Sequence, residues 1–138
     1  MPKFTIEHDW NDSSSRAVME GLTNFNRAFV GTDQPRRLAI IVRDKEEIIG
    51  GLLGETKWNW MDIGWVWVSE NHRMNGIGTR LMRDAESEAR AMGCVHAHLT
   101  TLDFQAKGFY EKLGYQVFAA LEDYPRGHTR FMMKKKFV

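Results

Sequence analysis

Residues 58–92 constrain this chain more than any other stretch, because they must form a strand, a turn and a helix in immediate succession. Trp58, Trp60, Ile63, Trp65, Val66, Trp67 and Val68 are aromatic or β-branched, types that suit a pleated, half-buried surface. Ile77, Leu81, Ala85 and Ala89 then recur at helical spacing, with Arg80, Arg83, Asp84, Glu86 and Glu88 on the polar sides. Between them lies ENHRMNGIG, where Gly76 and Gly78 carry no Cβ and let backbone amides approach a ligand closely. The first amides of a helix lack intrahelical partners and sit at the positive end of its dipole. A strand, a glycine turn and a helix therefore offer an anion site suited to phosphate. Arg73 and Arg80 add positive charge. The glycine spacing is neither Gly-x-x-x-x-Gly-Lys-Ser/Thr nor a three-glycine dinucleotide fingerprint. The plainer alternative is that the glycines serve only a tight turn.

The flanking segments give the stretch its setting. Lys3–His8 alternates weakly and reads as a first strand. Asp12 or Ser13 can cap a helix whose apolar face is Val18, Leu22, Phe25, Phe29 and Val30. Arg37–Arg43 and Ile48–Lys57 form a hairpin about the polar turn Asp44-Lys45-Glu46, and Trp58–Ser69 is its third arm. Gly50, Gly51 and Gly54 lie within the second of these strands, where glycine marks a bulge or the close approach of another backbone or a ligand. After the helix, Gly93 is a natural stop, and Cys94–Thr101 can return parallel to the Trp65 strand as a βαβ crossover. Phe104–Leu113 is a short helix, Tyr115–Leu121 a strand, and Thr129–Phe137 a closing strand. This order predicts an α+β fold with a mixed sheet. Strict alternation would send Trp58 and Trp60 to one face and Trp65 and Trp67 to the other, unless a bulge intervenes.

With 138 residues, the expectation is a single domain over 1–138. A net charge of +1 gives no bulk attraction to nucleic acid or to an anionic membrane. No apolar run approaches the ~20 residues of a membrane span, and MPKFTIEHDW has no signal-peptide core. Cys94 is the one cysteine, which rules out an internal disulfide; a reducing cytoplasm is the simplest expectation. Its place at the start of a buried strand suits a small core hydrophobe better than a nucleophile. Lys134-Lys135-Lys136 reads as a solvated strand edge.

Two motifs carry a family resemblance. Arg73-Met74-Asn75-Gly76-Ile77-Gly78 is similar to the Arg/Gln-x-x-Gly-x-Gly/Ala loop of the GNAT superfamily of N-acetyltransferases. Ala106–Tyr115, AKGFYEKLGY, resembles that family's Ala-x-x-Phe-Tyr-x-x-x-Gly-Phe/Tyr signature. They stand in the family's order, one helix and one strand apart, and the resemblance covers the chain from about residue 38 onward. It implies a mixed, mostly antiparallel sheet whose parallel pair splays around acetyl-CoA. The backbone of Val66 and Val68 would pair with the cofactor arm. The amides of Arg73, Met74, Asn75, Gly76, Ile77, Gly78 and Thr79 would receive the pyrophosphate. Asp103 stands near the arm where the family commonly has Asn, and an ionised Asp accepts hydrogen bonds but cannot donate them. Tyr110 matches the family's proton donor beside the cofactor; a phenol is protonated at neutral pH.

The activity so implied is direct transfer of acetyl to a primary amine. It needs a neutral amine, a donor for the oxyanion, expected from a backbone amide near Val66–Val68, and a proton for the thiolate. The residues leave the general base open among Glu55, Asp62, His98, Glu122, Asp123 and His128, with Glu55 and His128 placed first. The tryptophans could cage a cationic amine, although packing is the simpler role. A small-molecule amine is the expected acceptor, with no metal, and the resemblance admits a homodimer. The alternatives are acetylation of protein N-termini or lysines, and a module that binds acyl-CoA without turnover.

Overall fold

A computed structural model of the chain describes residues 1–32 and 34–137. The backbone divides into an N-terminal unit, Met1–Gln34, and a larger unit from Pro35 onward. The first unit is one helix, α1, Ser13–Val30, with an extended segment before it. Asp12 caps α1, its carboxylate accepting from the Ser15 amide at 3.0 Å. The strand expected over Lys3–His8 does not form. A strand is stable only when a neighbour completes its ladder, and here the polar side chains bond locally, Thr5 to Glu7 and the Asn11 amide to Asp9.

The second unit is a six-stranded sheet. Its strands are β1 Arg36–Asp44, β2 Glu47–Lys57, β3 Trp60–Val68, β4 His96–Leu102, β5 Gln116–Glu122 and β6 Thr129–Lys136. They lie in the order β1-β2-β3-β4-β6-β5. Among the described residues only β3 and β4 are parallel, joined through the helix α2, Ile77–Ala91. The expected mixed, mostly antiparallel α+β sheet is therefore what forms. A third helix, α3, Lys107–Lys112, lies between β4 and β5. Within the second strand, a Cβ on Gly50 or Gly51 would come 2.9 Å from the carbonyl oxygen of Trp67 or Ile40, so the close backbone approach read from those glycines is real.

The core fills one face of the sheet. Leu52, Met61, Ile63, Ala97, Leu99 and Met133 meet Leu81, Met82, Ala85 and Ala89 of α2 there. Cys94 is buried among these side chains, just before β4 rather than in it. Trp58 likewise falls outside the strand, in a left-handed turn with φ 51°. In β3 the alternation breaks once. Leu53 pairs with Trp65 while Gly54 pairs with Ile63, leaving Gly64 as a bulged residue. Met61 and Ile63 face the core before the bulge, and Val66 and Val68 after it. Trp60, Trp65 and Trp67 consequently share the opposite face, which corrects the division of the tryptophans that strict alternation predicts.

Candidate active site

The parallel ladder between β3 and β4 is short. It runs from the pair Trp60/His96 to the pair Ile63/Leu99 and stops where Gly64 bulges. Beyond that point the strands part around a cavity of about 900 Å3. Gly64, Trp65, Val66, Trp67 and Val68 form one wall, and Thr100, Thr101 and Leu102 the other. Among the described residues the β4-facing edge of Gly64–Val68 has no strand partner, so its amides and carbonyls can pair with an extended amide-bearing ligand.

The loop after β3 is built to present amides. Ser69 and His72 lock its 3-10 turn, Glu70–His72, through a 2.6 Å Oγ···Nδ1 contact. Arg73 Nε donates back to the Val68 carbonyl at 2.9 Å, and Arg73 also lines the cavity. Met74 projects into solvent from a left-handed backbone, φ 68°. Asn75 follows, and Gly76 is the N-cap of α2 in the left-handed region, φ 78°, with no side-chain cap. The leading amides, Ile77, Gly78 and Thr79, are thus left to a ligand. At Gly78 a Cβ would stand 3.3 Å from Phe109 Cζ, so the glycine also lets α2 close on α3. The two sequence motifs are in contact at this point. A bare strand edge ending at an uncapped helix N-terminus fits a group that carries both amides and a pyrophosphate.

Tyr110, on α3, is buried and lines the same cavity. Burial raises the pKa of its phenol above the ordinary value, which keeps the proton on oxygen at neutral pH. Val66, Val68, Arg73 and Tyr110 are thereby brought to one cavity. Asp103 is committed elsewhere. Its Oδ1 lies 2.8 Å from His128 Nδ1, and its Oδ2 accepts from the Thr129 amide at 2.9 Å. These bonds hold its carboxyl below the usual range, the Thr129 amide contributing most. His128 packs edge-on against Phe104, a lining residue, but neither it nor Asp103 lines the cavity.

Glu55 is on the opposite sheet face. It pairs across strands with Asp62, and the two line a second cavity of about 610 Å3 with Arg37, Leu53 and Trp65. A third, with Trp58, Trp60 and His98, shares both acids. Asp62 Oδ1 is 3.8 Å from His98 Nδ1. Registers carry the row further: Arg37, Glu55, Asp62, His98 and Lys134 stand side by side on five neighbouring strands. Asp62 and His98 immediately precede Ile63 and Leu99, the last paired rung at the closed end of the main cavity.

Sequence reasoning passed over several residues. Gln105 Oε1 accepts from the Leu102 amide at 2.7 Å and braces the far wall. Arg130 lies 4.7 Å over the Tyr124 ring at the mouth, both lining residues. Tyr115 donates to Glu86 at 2.9 Å while Lys135 donates to the same carboxylate at 2.8 Å. Each contact joins segments distant in sequence, so no local spacing announces it.

Comparison with known proteins agrees with this geometry. The model of the Acetyltransferase (GNAT) family matches residues 4–115. A blasticidin-S acetyltransferase from Streptomyces morookaense is 39% identical over 94 residues, 67% of this chain and 69% of that protein. Acetyltransferase Atu2258 from Agrobacterium fabrum is 31% identical over 135 residues, 97% of this chain and 98% of its own. Among solved structures, an acetyltransferase from Agrobacterium tumefaciens superposes with a TM-score of 0.88 at 29% identity, covering 99% of this chain and 100% of that one. An aminoglycoside 6'-N-acetyltransferase complexed with coenzyme A shares the fold, with a TM-score of 0.66 at 20% identity over 96% of both chains. The splayed parallel pair, the uncapped glycine loop and the family match together establish that this chain belongs to the GNAT acetyltransferase family.

Proposed function

We propose that this chain moves an acetyl group from acetyl-CoA to a primary amine on a small molecule, by direct attack, with the 138 residues acting as one acetyltransferase domain in the cytoplasm. The observation that carries the reading is the cavity between the diverging halves of β3 and β4, which places a bare strand edge, Arg73 and the buried Tyr110 around one space. Acetyl-CoA supplies a thioester carbonyl and, on reaction, a thiolate that must be protonated. The edge of Val66–Val68 holds the cofactor arm, and a Val66-region amide faces the developing oxyanion. The amides of Gly76–Thr79 hold the pyrophosphate, assisted by Arg73, Met74 and Asn75 in the loop.

Tyr110 would give its phenolic proton to the leaving thiolate, burial keeping that proton on oxygen at neutral pH until it is needed. The amine approaches from the opposite sheet face, where the acids lie. Asp62, partnered by His98 beside the closed end of the splay, is best placed to receive its proton directly or through water. Glu55, opposite Asp62, attracts the cationic form, and Trp58 and Trp60 flank the same cavity. His128 is the weaker candidate for base because Asp103 ties it outside the lining of the main cavity. The likeness to a blasticidin-S acetyltransferase supports a small-molecule amine over a peptide.

The test is thiol release from acetyl-CoA across a panel of aminoglycosides, nucleoside and streptothricin-like amines, polyamines and short peptides. Release dependent on a small amine is expected; release with peptides alone would turn the reading to protein acetylation. The variant Tyr110→Phe should lose about 10²–10⁴-fold in kcat while calorimetry shows unchanged acetyl-CoA affinity. A wild-type chain that binds acetyl-CoA but turns over no amine in the panel would favour a binding module, and an unchanged rate in the variant would remove Tyr110 from the mechanism.

A further inference from the structure

We propose that the amine acceptor also carries an anionic group, a carboxylate or phosphate, and that Arg130 of β6 holds that group in the main cavity. The proposal deepens the acetylation reading and rests on it for the place of the amine. Charge carries it first. Among the residues lining the main cavity, Arg73 and Arg130 are charged and none is acidic. Arg73 belongs to the loop after β3 and donates back to the Val68 carbonyl. Arg130 has no part in the transfer described above. Its Nη2 donates to Thr100 Oγ1 at 3.2 Å, and its guanidinium lies 4.7 Å from the centre of the Tyr124 ring. Among the described residues no carboxylate forms an ion pair with it, whereas Arg80, Lys107 and Lys135 each have one. A guanidinium offers a planar fork of N–H donors that matches a carboxylate or a phosphate. Here the ring and the hydroxyl hold that fork in place at the cavity wall.

Register decides which sheet face the guanidinium serves. Leu99 pairs with Met133, Thr101 with Phe131 and Leu102 with Arg130. Leu99 and Met133 are in the core that α2 covers, and Phe131 packs against it. Side chains alternate along a strand, so Arg130, Thr100 and His98 face the other way, as does Asp62 between Met61 and Ile63. Arg130 therefore shares a face with the acids, not with α2, to whose N-terminus the cofactor phosphates are assigned. The spacing follows from the same register. Asp62 is level with His98, and Thr100 is two residues further along β4. At about 3.3 Å per residue the step is roughly 7 Å, so a guanidinium bonded to Thr100 stands roughly 7–10 Å from the Asp62 carboxylate. Gly64 and Trp65 line both the main cavity and the one beside Glu55 and Asp62, which makes the two continuous. One acceptor can thus present its amine to Asp62 and its anionic end to Arg130.

The test titrates the full chain, saturated with coenzyme A, in a calorimeter. The probes are amines of matched length: 6-aminohexanoate, 4-aminobutyl phosphate, hexylamine and hexane-1,6-diamine. An anionic amine should bind about 10–100-fold more tightly than hexylamine, the factor that hydrogen bonds between charged groups supply. The diamine, which sets a second cation against Arg130, should bind more weakly still. Whichever of the two anionic probes binds better names the group. In Arg130→Gln the preference over hexylamine should vanish while acetyl-CoA affinity is kept, and Arg130→Lys should retain part of the preference. Hexylamine binding as tightly as both anionic probes overturns the proposal, as does a preference that survives Arg130→Gln. Uniform weakening of every probe in that variant would make Arg130 a brace for the β5–β6 turn, and lost acetyl-CoA affinity would give it to the cofactor; either result overturns the proposal. Should Arg130→Gln not fold, Arg130→Lys decides, because it keeps the charge and loses the fork. None of these readouts depends on turnover. Acetylation of hexylamine and 6-aminohexanoate with equal efficiency would leave the transfer reading standing without the anion site, and anion-selective binding without acetylation would do the reverse.

Discussion

Glu86 looks in sequence like one more polar residue on an amphipathic helix, but its carboxylate is largely buried and accepts from both Tyr115 and Lys135. One side chain thus ties α2 to β6 and to Tyr115, the residue just before β5 in the segment that follows α3, the helix that carries Tyr110. Removing a partner from a buried charged cluster leaves the other charge unpaired, so Glu86→Ala should destabilise the fold by about 2–4 kcal/mol, read as a lowered denaturation midpoint at unchanged slope. Glu86→Gln, which still accepts from Tyr115, should cost less. The two tyrosines set the alkaline limit. Burial raises both phenols, with Glu86 adding to the effect at Tyr115. A pKa raised in the folded state contributes stability that is complete below the unfolded value near 10 and is lost as pH rises towards the folded value. Thermal unfolding should therefore shift downward above about pH 10, and Tyr115→Phe should flatten that slope.

Among the elements, β3 decides most. Its residue types predict a strand correctly, and the core-facing role of Val66 and Val68 depends on one bulge at Gly64. Deleting Gly64 would restore strict alternation without changing any face, since Trp65 would then follow Ile63 directly, but it would remove the bulge at which the ladder with β4 stops. Such a deletion should leave the tryptophan emission unchanged while weakening acetyl-CoA binding measured by calorimetry, because the cavity opens at the bulge. The bulge also ends the pairing with β4, so the same residue that turns the tryptophans outward opens the cavity. The helix α2 shows how far local reading carries. The glycines were legible as a turn that opens a helix, and Gly76 is the N-cap of α2 with no side-chain cap. That Gly78 also seats Phe109 was not legible, because the partner lies 31 residues away.

At the scale of the molecule, the sheet assembles a polar row that no segment contains: Arg37, Glu55, Asp62, His98 and Lys134. On the reading proposed here, Asp62 works at the junction between the cofactor cavity and the acceptor face. Asp62→Asn should lower kcat at neutral pH by about 10²–10⁴-fold with acetyl-CoA binding intact. A Glu55→Gln variant should instead raise KM for the amine. Unchanged kcat in the first variant would assign the proton to another group.

The amino-acid order alone determined which segments are helix and strand, their succession, and the glycine loop, since these follow from side-chain type, spacing and capping within a few residues. It misjudged Lys3–His8, where alternation was present and a ladder partner was not. Only the tertiary structure decided the face of each tryptophan, the union of Asp103 with His128, the burial of Glu86 and the row across five strands. Those depend on register and on contacts between residues far apart in sequence, and a single bulged residue is enough to reverse them.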